Sequence, residues 1–512
     1  MNAKPKRDKP AVMGSGATDQ CPSAEPHRTA WNLACLLPAL AVLLVHFVFP
    51  VSRPHEDEIY WIGSTYYYHL GVVEGNASSP DWQLLPAREN PVLGKYVLGV
   101  ALQVSGHPVT TPDLLGSFYL IFADIPGAWG TEQAFQKRLA VAMRVDPAIR
   151  DPIRRGQALP LADNQLAAAR RVMLFFGMLS AIGIAVLGRQ CNWTAGGLIA
   201  GLLFSLHPIA IEAYSLAMID IIAIAFCVWF MVGLLAILRF PSRRLDGLSA
   251  CKPQHRSQAD HPSSDHPEIA IGSAWSARQW LQGSLLILFT ATMLAFACGS
   301  KMNSLVVAAT ATVCGMGCLV KSVTWRKDQV DAANRKDRSH GAPPNPTQRQ
   351  RNTAGDRTWM LIAVATLAAT LFIGANPTLY GDPVDGVLAL SYEHQLTADI
   401  QESMLGGRLT SVGQRIQELA KLVCGTPALF AALVLVVVWF AYQSIQKPSL
   451  AAVIALWWIM AMLLLMIWLP FAWDRYALPL IPPTLLIAGG TVEQAGRWVG
   501  SKFAASRQAV AG

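Results

Sequence analysis

About ten times along this chain, a run of apolar residues reaches the length needed to cross the ~30 Å hydrocarbon core of a bilayer as a helix. The runs fall at roughly 31–49, 172–188, 193–209, 217–238, 280–298, 302–320, 358–375, 427–445, 450–469 and 475–491. No other feature constrains the fold as strongly. Hydrophobic residues fill 53% of the 512 positions and charged residues only 14%, where a soluble domain carries about a quarter. The expected fold class is therefore an all-α polytopic membrane protein with about ten transmembrane helices, give or take about two.

Basic residues set the expected orientation. Lys4, Lys6, Arg7, Lys9 and Arg28 keep the N-terminal tail in the cytoplasm under the positive-inside rule. Counting spans from there, the basic connections around 241–277 and 321–357 also fall inside, as do Arg497, Lys502 and Arg507. Segments 50–171 and 376–426 fall outside. On this reading residues 1–30 are a disordered cytoplasmic tail, 31–495 a transmembrane domain and 496–512 a second cytoplasmic tail. The expected location is a plasma membrane (a bacterial inner membrane), with both termini cytoplasmic. Segments 241–277 and 321–357 read as solvated, disordered loops rich in polar residues. No ligand set closes around His261 and His266, which lie in DHPSSDHP.

The same reading excludes several classes. The net charge of +8 is a topology signal, because the basic residues are spread over loops with no aromatic interleaving, and no nucleic-acid partner is expected. Nine cysteines lie mostly in spans or on the inner side. Cys424 stands alone near the outer face, so there is no disulfide framework. The first run is too long, and begins too late, for a cleaved signal peptide, so it is expected to anchor the chain.

Segment 50–171 is too long for a simple connection and must hold structure of its own. It contains a Tyr-rich stretch at 60–70, apolar stretches at 92–104 and 114–125, and a charged helical pattern at 132–144. These read as amphipathic helices lying on or dipping into the membrane surface, with a crossing hairpin as the alternative for one of them. Segment 376–426 opens on the turn-rich NPTLYGDPVDG and continues as a polar helical pattern. Glu393, His394 and Arg408 are expected on its exposed face, and the segment is expected to cap a cavity.

Candidate chemistry begins with Glu56-Asp57-Glu58, just past the first run. That position is the level of lipid headgroups. A carboxylate there is either merely solvated or a base that takes a proton from an acceptor hydroxyl. Asp220, inside the outer end of the fourth run, is the second candidate. An acidic side chain in a span costs up to ~3 kcal/mol at mid-bilayer, so it normally faces a polar cavity. Asp57, Asp220 and Glu212 fall at one membrane depth. Basic residues on the outer side run against the topology bias and form the third group: Lys95 in NPVLGK, Arg170, Arg171, Lys301 in GSKMNS, and Arg475 in WDRYALPL. Singly each reads as an interfacial anchor. Together, around acidic residues, they read as a cradle for an anionic phosphate, with Gly94 letting backbone approach a ligand closely.

In order and spacing, these positions resemble the GT-C glycosyltransferases, in particular the protein O-mannosyltransferase branch and its bacterial relatives. Asp57-Glu58 is similar to that branch's Asp-Glu pair after the first span. Asn90-Pro91-Val92-Leu93-Gly94-Lys95 resembles its His-Pro-Pro-Leu-Gly-Lys motif, with Asn90 and Val92 in place of His and the second Pro. The Arg-led second span, the stretch ending in Asp220, the lysine turn CGSKMNSL and RYALPLIPPTLL are similar too. The resemblance implies a GT-C-like bundle and inverting transfer of a hexose such as mannose from a polyprenyl-phosphate donor at the outer face. It implies Asp57 as base; Glu58 and Asp220 are expected beside it as catalytic residues that orient the sugar or acceptor. Lys95, Arg171 and Arg475 are implied as donor-phosphate ligands. Metal dependence varies in that family, so no cofactor is assigned and a divalent metal stays open. The implied partners are the lipid-linked sugar, membrane lipid, and an acceptor protein or glycan. Alternatives are a GT-C enzyme modifying a glycolipid or cell-wall polymer, and a polytopic transporter or lipid flippase. A transporter normally shows repeated halves and broken helices, which this sequence does not display.

Overall fold

A computed structural model describes residues 31–50, 54–121, 132–154, 161–240, 277–301, several positions between 304 and 320, 347–393, 409, 411–446, 450–468 and 474–511. Among the described residues every regular element is helical. In chain order the main helices are α1 (Leu37–Val48), α2 (Glu56–Gly63), α3 (Leu93–Val104), α4 (Asp113–Ile121), α5 (Glu132–Ala142), α6 (Asp163–Gln190), α7 (Thr194–Leu206), α8 (Pro208–Ser215), α9 (Asp220–Arg239), α10 (Ala277–Ser300), α11 (Thr347–Ala375), α12 (Val412–Cys424), α13 (Pro427–Gln446), α14 (Leu450–Trp468) and α15 (Ile481–Ala511).

The expected all-α polytopic class holds. Six described helices are long and apolar enough to cross a membrane: Trp31–Val48, which contains α1, then α6, α9, α10, the Arg357–Ala375 part of α11, and α13. The pair α7–α8 makes a seventh if read as one broken span, which corrects the expectation of no broken helix. The difference from about ten runs has identifiable causes. The third run bends by 65° between α7 and α8. Pro208 opens α8, and His207 before it is extended, φ −74° and ψ 128°. A proline ring disfavours the helical region for the residue preceding it. The run at 450–469 is a helix as expected, α14, with 19 apolar residues from Leu450 to Trp468. The last run is interrupted by the 3-10 turn Leu478–Leu480 and then continues as α15 to Ala511. The run at 302–320 lies mostly outside the described residues. Helix α11 begins at Thr347, inside the stretch expected as a loop. The tail 1–30 and residues 241–276 lie outside the described residues.

Helix α9 is the centre of the bundle. Its apolar window is 83% buried, whereas that of α13 is 6% buried. It is apolar all round, the pattern of a core helix, and it packs between α6 and α10. Asp220 in its first turn and Arg239 in its last match the helix dipole at both ends. Helices α6 and α7 meet backbone to backbone: a Cβ added to Gly188 would lie 2.2 Å from the Gly197 Cα. Small residues allow such an approach between membrane helices.

The segment α2–α5 sits at the end of the bundle where α1 finishes and α6 and α9 begin. Helix α2 packs on α4, α4 on α5, and α3 on α6 and α10. These helices pack into the protein, a contact that their pattern alone does not reveal. Tyr60, Trp61, Tyr67 and Leu98 are buried in the common core. The expectation that Glu393 is exposed is also corrected: it is buried and pairs with Lys137 of α5. Its partner lies far away in sequence, which the local polar pattern does not reveal. His394 and Arg408 lie outside the described residues.

Candidate functional site

Helix α2 starts with a reciprocal cap. The His55 imidazole Nδ1 accepts the Asp57 N–H at 3.1 Å, and Glu58 Oε2 accepts the His55 N–H at 2.7 Å. Such a cap satisfies donors that the first helical turn leaves open. It also fixes the phase of the helix, and consecutive residues then point about 100° apart. Glu58 turns into the protein and is fully buried. Its carboxylate accepts Arg170 Nε at 2.8 Å and Nη2 at 2.8 Å, and the Ala217 N–H at 2.7 Å. Asp57 turns the other way, keeps 30% side-chain exposure, and accepts from Arg475 Nη1 at 2.8 Å.

Asp57 lines a cavity together with Tyr60, Trp61, Glu89, Asn90, Phe118, Tyr119, Arg138, Lys301, Arg475 and Tyr476. Its open space is about 650 Å³ with the mouth and adjoining solvent included. Six segments contribute: α2, the residues before α3, α4, α5, the end of α10, and the short helix Asp474–Ala477. Lys301 is paired with Asp220, which is itself buried behind the cavity wall. Arg475 is paired with Asp57. Both cations lie 5.8 Å from the Tyr476 ring centroid.

The electrostatics follow from this convergence. Burial works against the Arg475 charge, but Asp57, then Tyr476 and Asp220, outweigh it and hold the guanidinium above its ordinary range. Burial pushes the Lys301 ammonium down, against the pull of Asp220. Burial, then Glu89, raises the Tyr60 phenol well above its usual value. That phenol accordingly donates to Glu89 Oε2 at 3.0 Å.

The expected phosphate ligands divide. Arg475 lines the cavity. Lys95 does not: it is fully buried, and its Nζ donates to the Pro86 carbonyl and to the Asn90 carbonyl, the latter at 2.8 Å. It also lies 5.4 Å from the Tyr67 ring centroid. Lys95 thus ties down residues 86–90, the segment that presents Glu89 and Asn90 to the cavity. Arg171 is exposed on α6, while its neighbour Arg170 turns inward to Glu58. Neither Glu58 nor Asp220 lines the cavity; each holds a cation instead. Glu212 is exposed on α8.

Burial lowers the Lys95 pKa from 10.5 to about 7, against an opposing pull from Glu89. Between those values the unfolded chain binds more protons than the folded one, so stability rises with pH. We expect the thermal midpoint of the protein to climb relative to that of Lys95→Met as pH goes from about 7 towards 10. Parallel midpoints across that window would show that Lys95 is solvated.

Glu89, Tyr60, Tyr119, Arg138 and Tyr476 were not singled out from sequence. Glu89 had a signal, its position directly before NPVLGK. Arg138 had none, since a charged amphipathic helix does not say which charge faces a cavity. Among the described residues no group of three or more His, Cys, Asp or Glu is placed to hold a metal ion.

No protein-family model and no curated protein matches the chain. Among solved structures it is similar to the archaeal oligosaccharyltransferase AglB from Archaeoglobus fulgidus in complex with an inhibitory peptide and a dolichol-phosphate. The TM-score is 0.41 and the identity 11%, covering 94% of this chain and 52% of that one. The Archaeoglobus fulgidus oligosaccharyltransferase tethered with an acceptor peptide gives a TM-score of 0.43 at 11% identity, covering 90% and 49%. Its apo form gives 0.44 at 13% identity, covering 94% and 52%. The chain spans about half the length of these enzymes.

Proposed function

We propose that this chain is a GT-C-type membrane glycosyltransferase. In this reading it moves a hexose, mannose or a close relative, from a polyprenyl-phosphate donor to an acceptor hydroxyl at the outer face. One observation carries the reading. Asp57 and the cations Arg138, Lys301 and Arg475, from four segments remote in sequence, meet in one cavity beside the end of the first apolar span.

The chemistry then follows. The acceptor hydroxyl gives its proton to the Asp57 carboxylate as its oxygen bonds to the anomeric carbon. The bond from that carbon to the phosphate oxygen breaks on the opposite face, so the configuration inverts. The electron pair leaves on the phosphate, where Lys301 and Arg475 stabilise it electrostatically. An arginine fork can serve a carboxylate and a phosphate together. Glu58 and Lys95 act one step removed, by holding α2 and residues 86–90 in place. Asp220 acts by holding Lys301. Arg171 has no role in this scheme.

The test is transfer of labelled mannose from polyprenyl-phosphate mannose by the purified protein in proteoliposomes. Labelled acceptor product is expected, and it should fall sharply with Lys301→Met. Movement of the intact lipid across the bilayer without product would replace this reading with that of a carrier. Mass spectrometry of a deletion strain separates the acceptor classes: lost protein-linked hexose points to protein acceptors, altered lipid or polymer to the others.

A further inference from the structure

Trp61 and Asn90 both line the cavity, and the Trp61 indole Nε1 and the Asn90 side-chain Oδ1 are buried without a hydrogen-bond partner. Trp61 is 4% exposed and Asn90 6%. An unpaired buried donor or acceptor loses its hydration with nothing in return, so such atoms normally have partners. Here one is a donor, the other an acceptor, and both residues line the same cavity.

The pairing discriminates between parts of a lipid-linked sugar. A phosphate offers acceptors only, and an isoprenoid tail offers neither. An acceptor such as Asn90 Oδ1 needs an O–H. A donor such as the Trp61 Nε1–H needs an oxygen lone pair. A hydroxyl supplies both. The remaining lining suits a sugar too. Tyr60, Phe118, Tyr119 and Tyr476 offer aromatic surface to its C–H faces. Asn90 is held in position, because Lys95 grips its backbone carbonyl.

We infer that Trp61 and Asn90 form the hydroxyl-reading element of the cavity, which selects the hexose by one or two of its ring hydroxyls. The inference rests on the transferase reading and deepens it. Asp57 and the cations treat every hexosyl phosphate alike, whereas this pair distinguishes hexoses that differ at one carbon. A site built to bond a hydroxyl rejects the analogue that lacks it, because its own groups are then left unpaired.

The experiment measures binding and needs no turnover. Full-length protein in nanodiscs is titrated with short-chain polyprenyl-phosphate mannose, glucose and galactose, with the single-deoxy derivatives of the best of these, and with bare polyprenyl phosphate. The unaltered protein should prefer a glycosylated lipid over the bare one. It should lose about tenfold or more in affinity at one deoxy position. Asn90→Leu and Trp61→Phe should each weaken the sugar-bearing lipid by about tenfold and leave the bare phosphate unchanged. In Asn90→Leu that deoxy position should no longer matter. Equal binding of bare and glycosylated lipid by the unaltered protein overturns the inference, as does an unchanged deoxy pattern in both variants. The deoxy series on the unaltered protein decides the matter even where a variant fails to fold. Failure of the transferase reading looks different: sugar preference would be intact, but no product would form in proteoliposomes.

Discussion

Asp57→Asn should slow sugar transfer by roughly 10²–10⁴-fold, the usual contribution of a positioned general base. The substitution keeps the size of the side chain and an oxygen that can accept from Arg475, now 2.8 Å away. It removes the negative charge that faces Arg475 and, with it, the ability to take a proton. The loss should therefore appear in kcat, with the affinity for the lipid-linked donor nearly unchanged and the thermal midpoint close to that of the unaltered protein. Turnover at the unaltered rate would take Asp57 out of the mechanism. A fall in donor affinity with kcat preserved would make the residue a brace for Arg475 instead.

Glu58 should behave in the opposite way, as a stability residue. Its fully buried carboxylate joins three parts of the chain: the His55 cap of α2, Arg170 of α6, and the backbone before α9 at Ala217. Removing one partner of a buried pair typically costs 3–5 kcal/mol, because the other charge is left uncompensated. Glu58→Leu should lower the thermal midpoint by several degrees and dislodge Asp57 with it. The double variant Glu58→Leu with Arg170→Met should recover part of the loss, since no buried charge is stranded. It should not recover all, because the His55 and Ala217 N–H groups lose their acceptor. A midpoint for Glu58→Leu equal to that of the unaltered protein would show that this clamp contributes nothing.

Much of the architecture was legible along the chain. Burying apolar residues in hydrocarbon requires long uniform runs, and hydropathy reads those directly. The helices at 31–48, 163–190, 220–239, 277–300, 357–375 and 427–446 are visible that way. Hydropathy adds up character without direction, however. It does not register Pro208, where the third run bends, nor the turn at Leu478–Leu480 that offsets the last helix from its run. The polar helices of 50–171 were recognisable as helices, but their pattern does not name the surface against which they pack.

The candidate site divides along the same line. By itself the sequence determined that carboxylates and cations gather near span ends, and that Asp57, Asp220 and Arg475 are among them, because a charge survives next to hydrocarbon only where water or a counter-charge meets it. Only the tertiary structure decided which member of each adjacent pair faces the cavity: Asp57 and not Glu58, and Arg170 rather than Arg171 turned inward. It also turned Lys95 from a ligand into a tether, and brought Glu89, Arg138 and Lys301 to the same wall. The reason is physical. A one-residue step on a helix rotates a side chain by about 100°, and the rotation that wins is set by the packing of distant helices.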